Sequence, residues 1–261
     1  RHVSVRRFGA TGHGMLPFPH GTEAFDVAQL VNGPGVHVMG SAVPLWLTRL
    51  GVARWGEGWT AEGGLDMFFR RELFEGNPLA MHIEHHADTI DVRVDDDNGQ
   101  PCVTATLSER GLHPDETTVG GTPRVGKASA TREGLTNLRL QPLSFVFDAA
   151  RDLHMVRDLE DGPVWIDHGR AHPAWLASSA NAMIRRSIDF GHPPTWINAG
   201  TSIDLHGCVL DGDTVVVEGS VNSMFDRGRH CFAVIGFAAS VGSRRVMSMR
   251  YTLIYASNNK H

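Results

Sequence analysis

The chain has 261 residues, 41% of them hydrophobic and 20% charged, and a net charge of −5 at neutral pH. That balance suits a soluble globular protein of one large domain or two of about 130 residues, and it excludes the basic stripe that gives general affinity for nucleic acid. No apolar run reaches the roughly 18 residues a membrane span needs and the first residues lack a signal-peptide pattern, so no membrane partner and a cytoplasmic location are expected.

From the N-terminus, RHVSVRRFGATG reads as a short strand and a turn. A Pro- and Gly-punctuated segment follows, with a short helix expected from Thr22 to Val31 and capped by Thr22. Val36, Met39, Val43, Leu47 and Leu50 recur at helical spacing, which predicts a core helix over 36–50 ended by Gly51. Pro44 conflicts with that helix unless the helix begins near Ser41 and keeps Pro44 in its first turn. Strands are predicted over 64–73, 79–94 and 101–108, with a hairpin turn at Asp95–Gly99. Residues 109–139 lack periodicity and read as a linker. The stretch His172–Ile188 is a second core helix, opened by Pro173 and made of Ala, Ser and Asn in its middle. Small residues there let a sheet or a thin ligand approach closely. Four strands follow, over 195–205, 213–221, 230–239 and 245–256. Cys102, Cys208 and Cys231 are widely spaced and without C-x-x-C, so they read as small buried residues rather than a disulfide framework or a zinc site.

The two halves repeat a pattern. His20 precedes His37 by 17 residues, and His154 precedes His172 by 18. Gly76 follows His37 by 39 residues, and Gly212 follows His172 by 40. Each half therefore reads as a histidine loop, a helix, a strand, a Gly-Asn or Gly-Asp turn and a further strand pair. The expected division is an N-terminal unit of 1–108, a linker of 109–140 and a C-terminal unit of 141–261.

A helix wrapped by one antiparallel sheet, built twice, resembles the double hotdog fold, an α+β architecture, and more narrowly the MaoC-like acyl-thioester hydratases and dehydratases. The resembling residues are the histidine-headed helices at Val36-His37-Val38-Met39-Gly40 and His172-Pro173-Ala174-Trp175-Leu176, and the turns Glu75-Gly76-Asn77 and Asp211-Gly212-Asp213. Upstream, Pro17-Phe18-Pro19-His20 and Arg151-Asp152-Leu153-His154 fall where that family carries D-x-N-P-x-H. The motif aspartate, five residues before the histidine, is replaced by Met15 in one half and Ala149 in the other; Asp148 and Asp152 lie nearby but out of register. Pro34-Gly35-Val36 is similar to the helix opening of fatty-acid dehydratases on this fold, whose acid would fall at Gly40. The resemblance implies an acyl-CoA or acyl-carrier-protein thioester as partner and no cofactor.

Hydration or dehydration needs a proton-handling group at carbon 2 and another that manages water at carbon 3. His154 with Asp152 or Asp148 is the first choice, His172 the second and His20 a third. Backbone amides at a helix start suit a carbonyl gathering negative charge, which makes Gly35, His37, Gly40 and Ala174 candidates for thioester binding. Asn181, a poor helix former among small residues, suits orienting water or thioester, or an inter-half hydrogen bond. Arg185 and Arg186 are candidates for coenzyme A phosphates or an acidic carrier. His82, Glu84 and His86 alternate along a predicted strand, but a solvated face is the simpler reading and no metal is expected. A thioesterase and a catalytically silent ligand-binding or cyclase-type member of the fold stand as alternatives, and a homodimer of whole chains is left open.

Overall fold

The computed structural model describes residues 2–9, 38, 40–74, 76–113, 119–157, 159–191 and 196–257. The principal elements are β1 (His2–Gly9), α1 (Pro44–Trp55), β2 (Gly64–Phe69), β3 (Pro78–His85), β4 (Thr89–Asp95), β5 (Pro101–Ser108), β6 (Leu143–Val146), α2 (Pro173–Ser187), β7 (Ile197–Leu205), β8 (Thr214–Arg227), β9 (His230–Val241) and β10 (Arg244–Ser257). The first five strands pair in the order β1-β3-β4-β5-β2, and the last five in the order β6-β8-β9-β10-β7. The two orders are the same, element for element. Antiparallel pairing of β2 with β7, from Gly64 opposite Asp204 to Phe68 opposite Gly200, joins them into one continuous sheet.

Strand alternation sets the inner face. Leu65 and Met67, Met81 and Ile83, Val92 and Val94, and Ala105 and Leu107 are buried in the first half; Val215 and Val217, Ala233, Ile235 and Phe237, and Met247, Met249 and Leu253 in the second. The matching turn glycines, Gly76 at φ 78° and Gly212 at φ 84°, sit in the left-handed region that L side chains avoid, which explains their recurrence in both halves.

Several expectations are corrected. Helix α1 starts at Pro44, the proline occupying its first turn, and runs through Gly51 to Trp55. Gly51 is no stop signal: a Cβ there would lie 2.5 Å from the Trp59 indole, so glycine is what lets that ring pack onto the helix. The predicted strand over 79–94 is a hairpin, β3 and β4, closed where the His86 amide donates to the Thr89 carbonyl at 2.9 Å. The aperiodic stretch 119–139 is tied down at intervals, although residues 120–127 are exposed. Residues 122–123 pair with 138–139, residues 128–129 pair with 188–189, and Leu135 and Leu138 are buried. The short helix expected at 22–31 lies outside the described residues.

Candidate functional site

Helix α2 begins with an unusual cap. His172 is extended at φ −73° and ψ 141°, and its Nδ1 accepts from the Ala174 amide at 3.0 Å. That acceptor role puts the ring proton on Nε2, which donates to Thr48 Oγ1 of α1 at 3.0 Å. The ring is fully buried and stands edge-on to Trp165, centroid to centroid 4.6 Å. Burial penalises the charged imidazole and pulls its pKa from 6.5 to about 4, with Asp161 pulling weakly the other way. The head of α2 is thus closed. The Ala174 amide, a candidate for thioester binding, is taken by the imidazole, and His172 is a neutral inter-helix bolt.

About 14 Å further along α2, at nine residues of 1.5 Å rise, the two halves meet at a second polar contact. Asn181 Nδ2 donates to Ser41 Oγ at 3.1 Å, and Asn181 Oδ1 accepts from the Tyr251 hydroxyl at 3.0 Å. Ser41 belongs to a single 3-10 turn, Gly40–Ala42, that leads into α1. Next to it, Asn198 Nδ2 donates to Thr201 Oγ1 at 2.9 Å, at a β-bulge in β7. Ser41, Asn181, Thr201 and Tyr251 are all buried. Gly40 is required here: a Cβ would come within 2.6 Å of Asn198 Nδ2 and 3.1 Å of the Phe69 ring. Burial pushes the Tyr251 phenol well above its usual range, against a smaller opposing effect of Asn198, so Tyr251 stays a neutral donor. Trp196 lies 6.0 Å from both Tyr251 and Phe190, forming an aromatic wall. The seam therefore offers neutral donors and acceptors at the head of one helix and the middle of the other. Such a set can hold a carbonyl or orient a water, and none of Ser41, Asn181, Thr201 and Tyr251 titrates near neutral pH.

The small residues of α2 are buried, and two of its hydroxyls are satisfied internally. Ser178 Oγ donates to the Trp175 carbonyl at 2.7 Å and Ser179 Oγ to the Leu176 carbonyl at 2.5 Å. Arg185 lies one turn beyond Asn181 on the same face and is half-buried; Arg186 is exposed.

Among the described residues the remaining candidates do not assemble into an acid–base pair. His154 is exposed, and its Nδ1–H donates to the Arg151 carbonyl at 2.7 Å. Asp152 is fully buried and accepts two bonds of 2.7 Å from the Arg151 guanidinium, while Asp148 caps a one-turn helix by accepting from the Arg151 amide. His20, Gly35 and His37 lie outside the described residues. His82 faces Asp95 at 3.2 Å, and His86, which sits in the turn past β3, faces Asp91 at 3.1 Å and Glu84 at 3.6 Å. These are histidine–carboxylate contacts on the outer face of the sheet, and among the described residues no group of three could hold a metal ion. No described helix is long and apolar enough to cross a membrane.

Identical strand order in two halves, one helix set against each and a shared sheet define a double hotdog. No family model and no curated protein sequence matches the chain. Solved structures do. A MaoC-like dehydratase superposes with a TM-score of 0.59 at 12% identity, covering 88% of this chain and 87% of its own. A double hotdog protein of Mycobacterium tuberculosis gives 0.55 at 13%, covering 88% and 85%. A protein of Lactobacillus plantarum assigned as an oleoyl thioesterase gives 0.53 at 8%, covering 99% and 98%. At these identities the likeness shows the fold.

Proposed function

We propose that this chain hydrolyses an acyl thioester whose carbonyl seats in the seam formed by Ser41, Asn181 and Tyr251. The observation that carries this reading is the Asn181 amide, which bridges the head of α1 and strand β10 at a buried junction of the two halves. Ser41 Oγ accepts from Asn181, which leaves its own proton to donate, and the Asn181 amide has a second N–H. In this reading those two neutral donors and the positive end of α1 serve one thioester carbonyl and stabilise its tetrahedral oxyanion. Water adds to the carbonyl carbon, the carbon–sulfur bond breaks, and the departing thiolate takes the proton that water loses.

The structures similar in fold include both a dehydratase and a thioesterase by name. Hydration and dehydration need groups that exchange protons at carbons 2 and 3 near neutral pH. Among the described residues the seam supplies serine, asparagine and a high-pKa phenol, and His154 pairs with no carboxylate, so hydrolysis is the better fit. Incubation with crotonyl-CoA separates the two. Hydrolysis releases free thiol; hydration bleaches the enone absorbance with no thiol released and would replace the hydrolytic reading. Thermal stabilisation by acyl-CoA without either change would reduce the protein to a thioester binder.

A further inference from the structure

The outer face of the sheet carries a second constellation, on the side away from the helices. Strand pairing lines up Gly236, Arg250, Ser202 and Asp66 across four strands, and beside them Val234, Thr252, Gly200 and Phe68. These rows line a groove of about 450 Å³ that spans the join of the two halves, a volume within the range of small-molecule sites. Gly200 and Gly236 leave its floor bare. Residues 109–113 roof one side. The Leu112 amide donates to Asp204 Oδ1 at 2.6 Å, and Gly111 sits so close to that carboxylate that a Cβ would come within 3.1 Å of it. As a result Ser202, Asp204 and Ser248 are buried although they point away from the core, which is not what an outer hotdog surface open to water would give.

The charges of Arg250 and Asp66 in this groove are linked through one hydroxyl. Ser202 Oγ donates to Asp66 Oδ1 at 2.5 Å and accepts from Arg250 at 3.4 Å, while Arg250 also reaches the His113 ring at 2.9 Å. Arg250 and Asp66 lie two strands apart, about 10 Å between Cα atoms, and do not form an ion pair with each other. On the Arg250 side the lining adds the donors Asn222, Ser223 and Thr252; on the other side stand the carboxylates Asp66 and Asp204. A dianion such as phosphate meets two carboxylates there, and a simple cation meets the guanidinium. The complementary ligand carries both signs.

We propose that this groove is a binding site for a small ω-amino acid, its carboxylate on Arg250 and Asn222 and its ammonium on Asp66. It is separate from the seam, because Arg250 and Tyr251 are neighbours on β10 that face opposite sides of the sheet. Ligand held across the join would brace the two halves.

The test is an NMR titration of the full ¹⁵N-labelled chain with γ-aminobutyrate, butyrate, butylammonium and inorganic phosphate, read at the Gly200 and Gly236 amides. The expected result is saturable shifts with γ-aminobutyrate and affinities about tenfold or more weaker for the other three probes. Asn222→Ala, an exposed change that leaves folding intact, and Arg250→Met should each weaken γ-aminobutyrate about tenfold, and Asp66→Asn should weaken it while leaving butyrate unchanged. Equal binding of butyrate or phosphate, no shift with any probe, or shifts unaffected by Asn222→Ala and Arg250→Met would overturn the assignment.

Discussion

The two helices of this chain occupy equivalent places in equivalent half-sheets, yet their surroundings have gone separate ways. At the head of α2 the imidazole of His172 fills the space, bonds the Ala174 amide and reaches across to Thr48. At the head of α1 a glycine, Gly40, stands where a side chain would collide, and Ser41 turns a hydroxyl toward the middle of α2. One head is plugged by its own side chain; the other is built around a missing one. The closed head thus fixes α1 against α2, and the polar seam forms further along α2, where Ser41 of the first half meets Asn181 and Tyr251 of the second.

Removing the plug should be the most damaging change. His172→Ala leaves a cavity beside Trp165 and strands the Ala174 amide and the Thr48 hydroxyl, so a loss of about 3–5 kcal/mol is expected in urea unfolding. The same ring governs acid sensitivity. The unfolded imidazole takes a proton at 6.5 and the folded one only at about 4, so its contribution is complete above 6.5, lost as pH falls toward 4, and flat below. The window corresponds to about 3 kcal/mol. Unfolding midpoints measured across it should decline in the parent chain and decline less in His172→Ala; parallel declines would mean another group is responsible.

Changes at the other head should cost activity before stability. Asn181→Ala removes the amide that joins Ser41 to Tyr251, and a fall of about 10²–10³ in thiol release is expected, with Tyr251→Phe somewhat milder. Ser41→Ala combined with Asn181→Ala should lower the rate less than the product of the single effects, because both act on one carbonyl. Full additivity in that cycle would separate the two residues and break the seam as a unit.

Much of this contrast was readable from residues alone. The helix opened by Pro173, the turn glycines Gly76 and Gly212 and the odd asparagine among small residues each have a local cause, a fixed φ, a positive φ or a poor helix propensity. At the head of α1 Pro44 lies in the first turn, one of the two readings the sequence offers, although Val36 and Met39 extend the helical spacing backwards past it; Gly51 resembles a terminator when its purpose is the contact with Trp59. The partners of Asn181 had no such signature. Ser41 is 140 residues away and Tyr251 is 70, and only sheet closure brings them together. His154 shows the converse: a histidine beside Asp148 and Asp152 in sequence pairs with neither, since Arg151 engages both.

That observation leads to the smallest effect, and to the one most able to reverse the comparison. His154→Ala removes an exposed ring whose bond runs to the Arg151 carbonyl, so stability should change by no more than about 0.5 kcal/mol. Asp152→Asn is the control beside it: the buried carboxylate is bound by the guanidinium, and its neutralisation should cost about 1–3 kcal/mol without any direct effect on thioester turnover. If His154→Ala instead lowered turnover a hundredfold while leaving the unfolding midpoint in place, the ring would have to swing away from Arg151 and act on substrate. The loop ahead of α2 would then be the working site, in place of the seam.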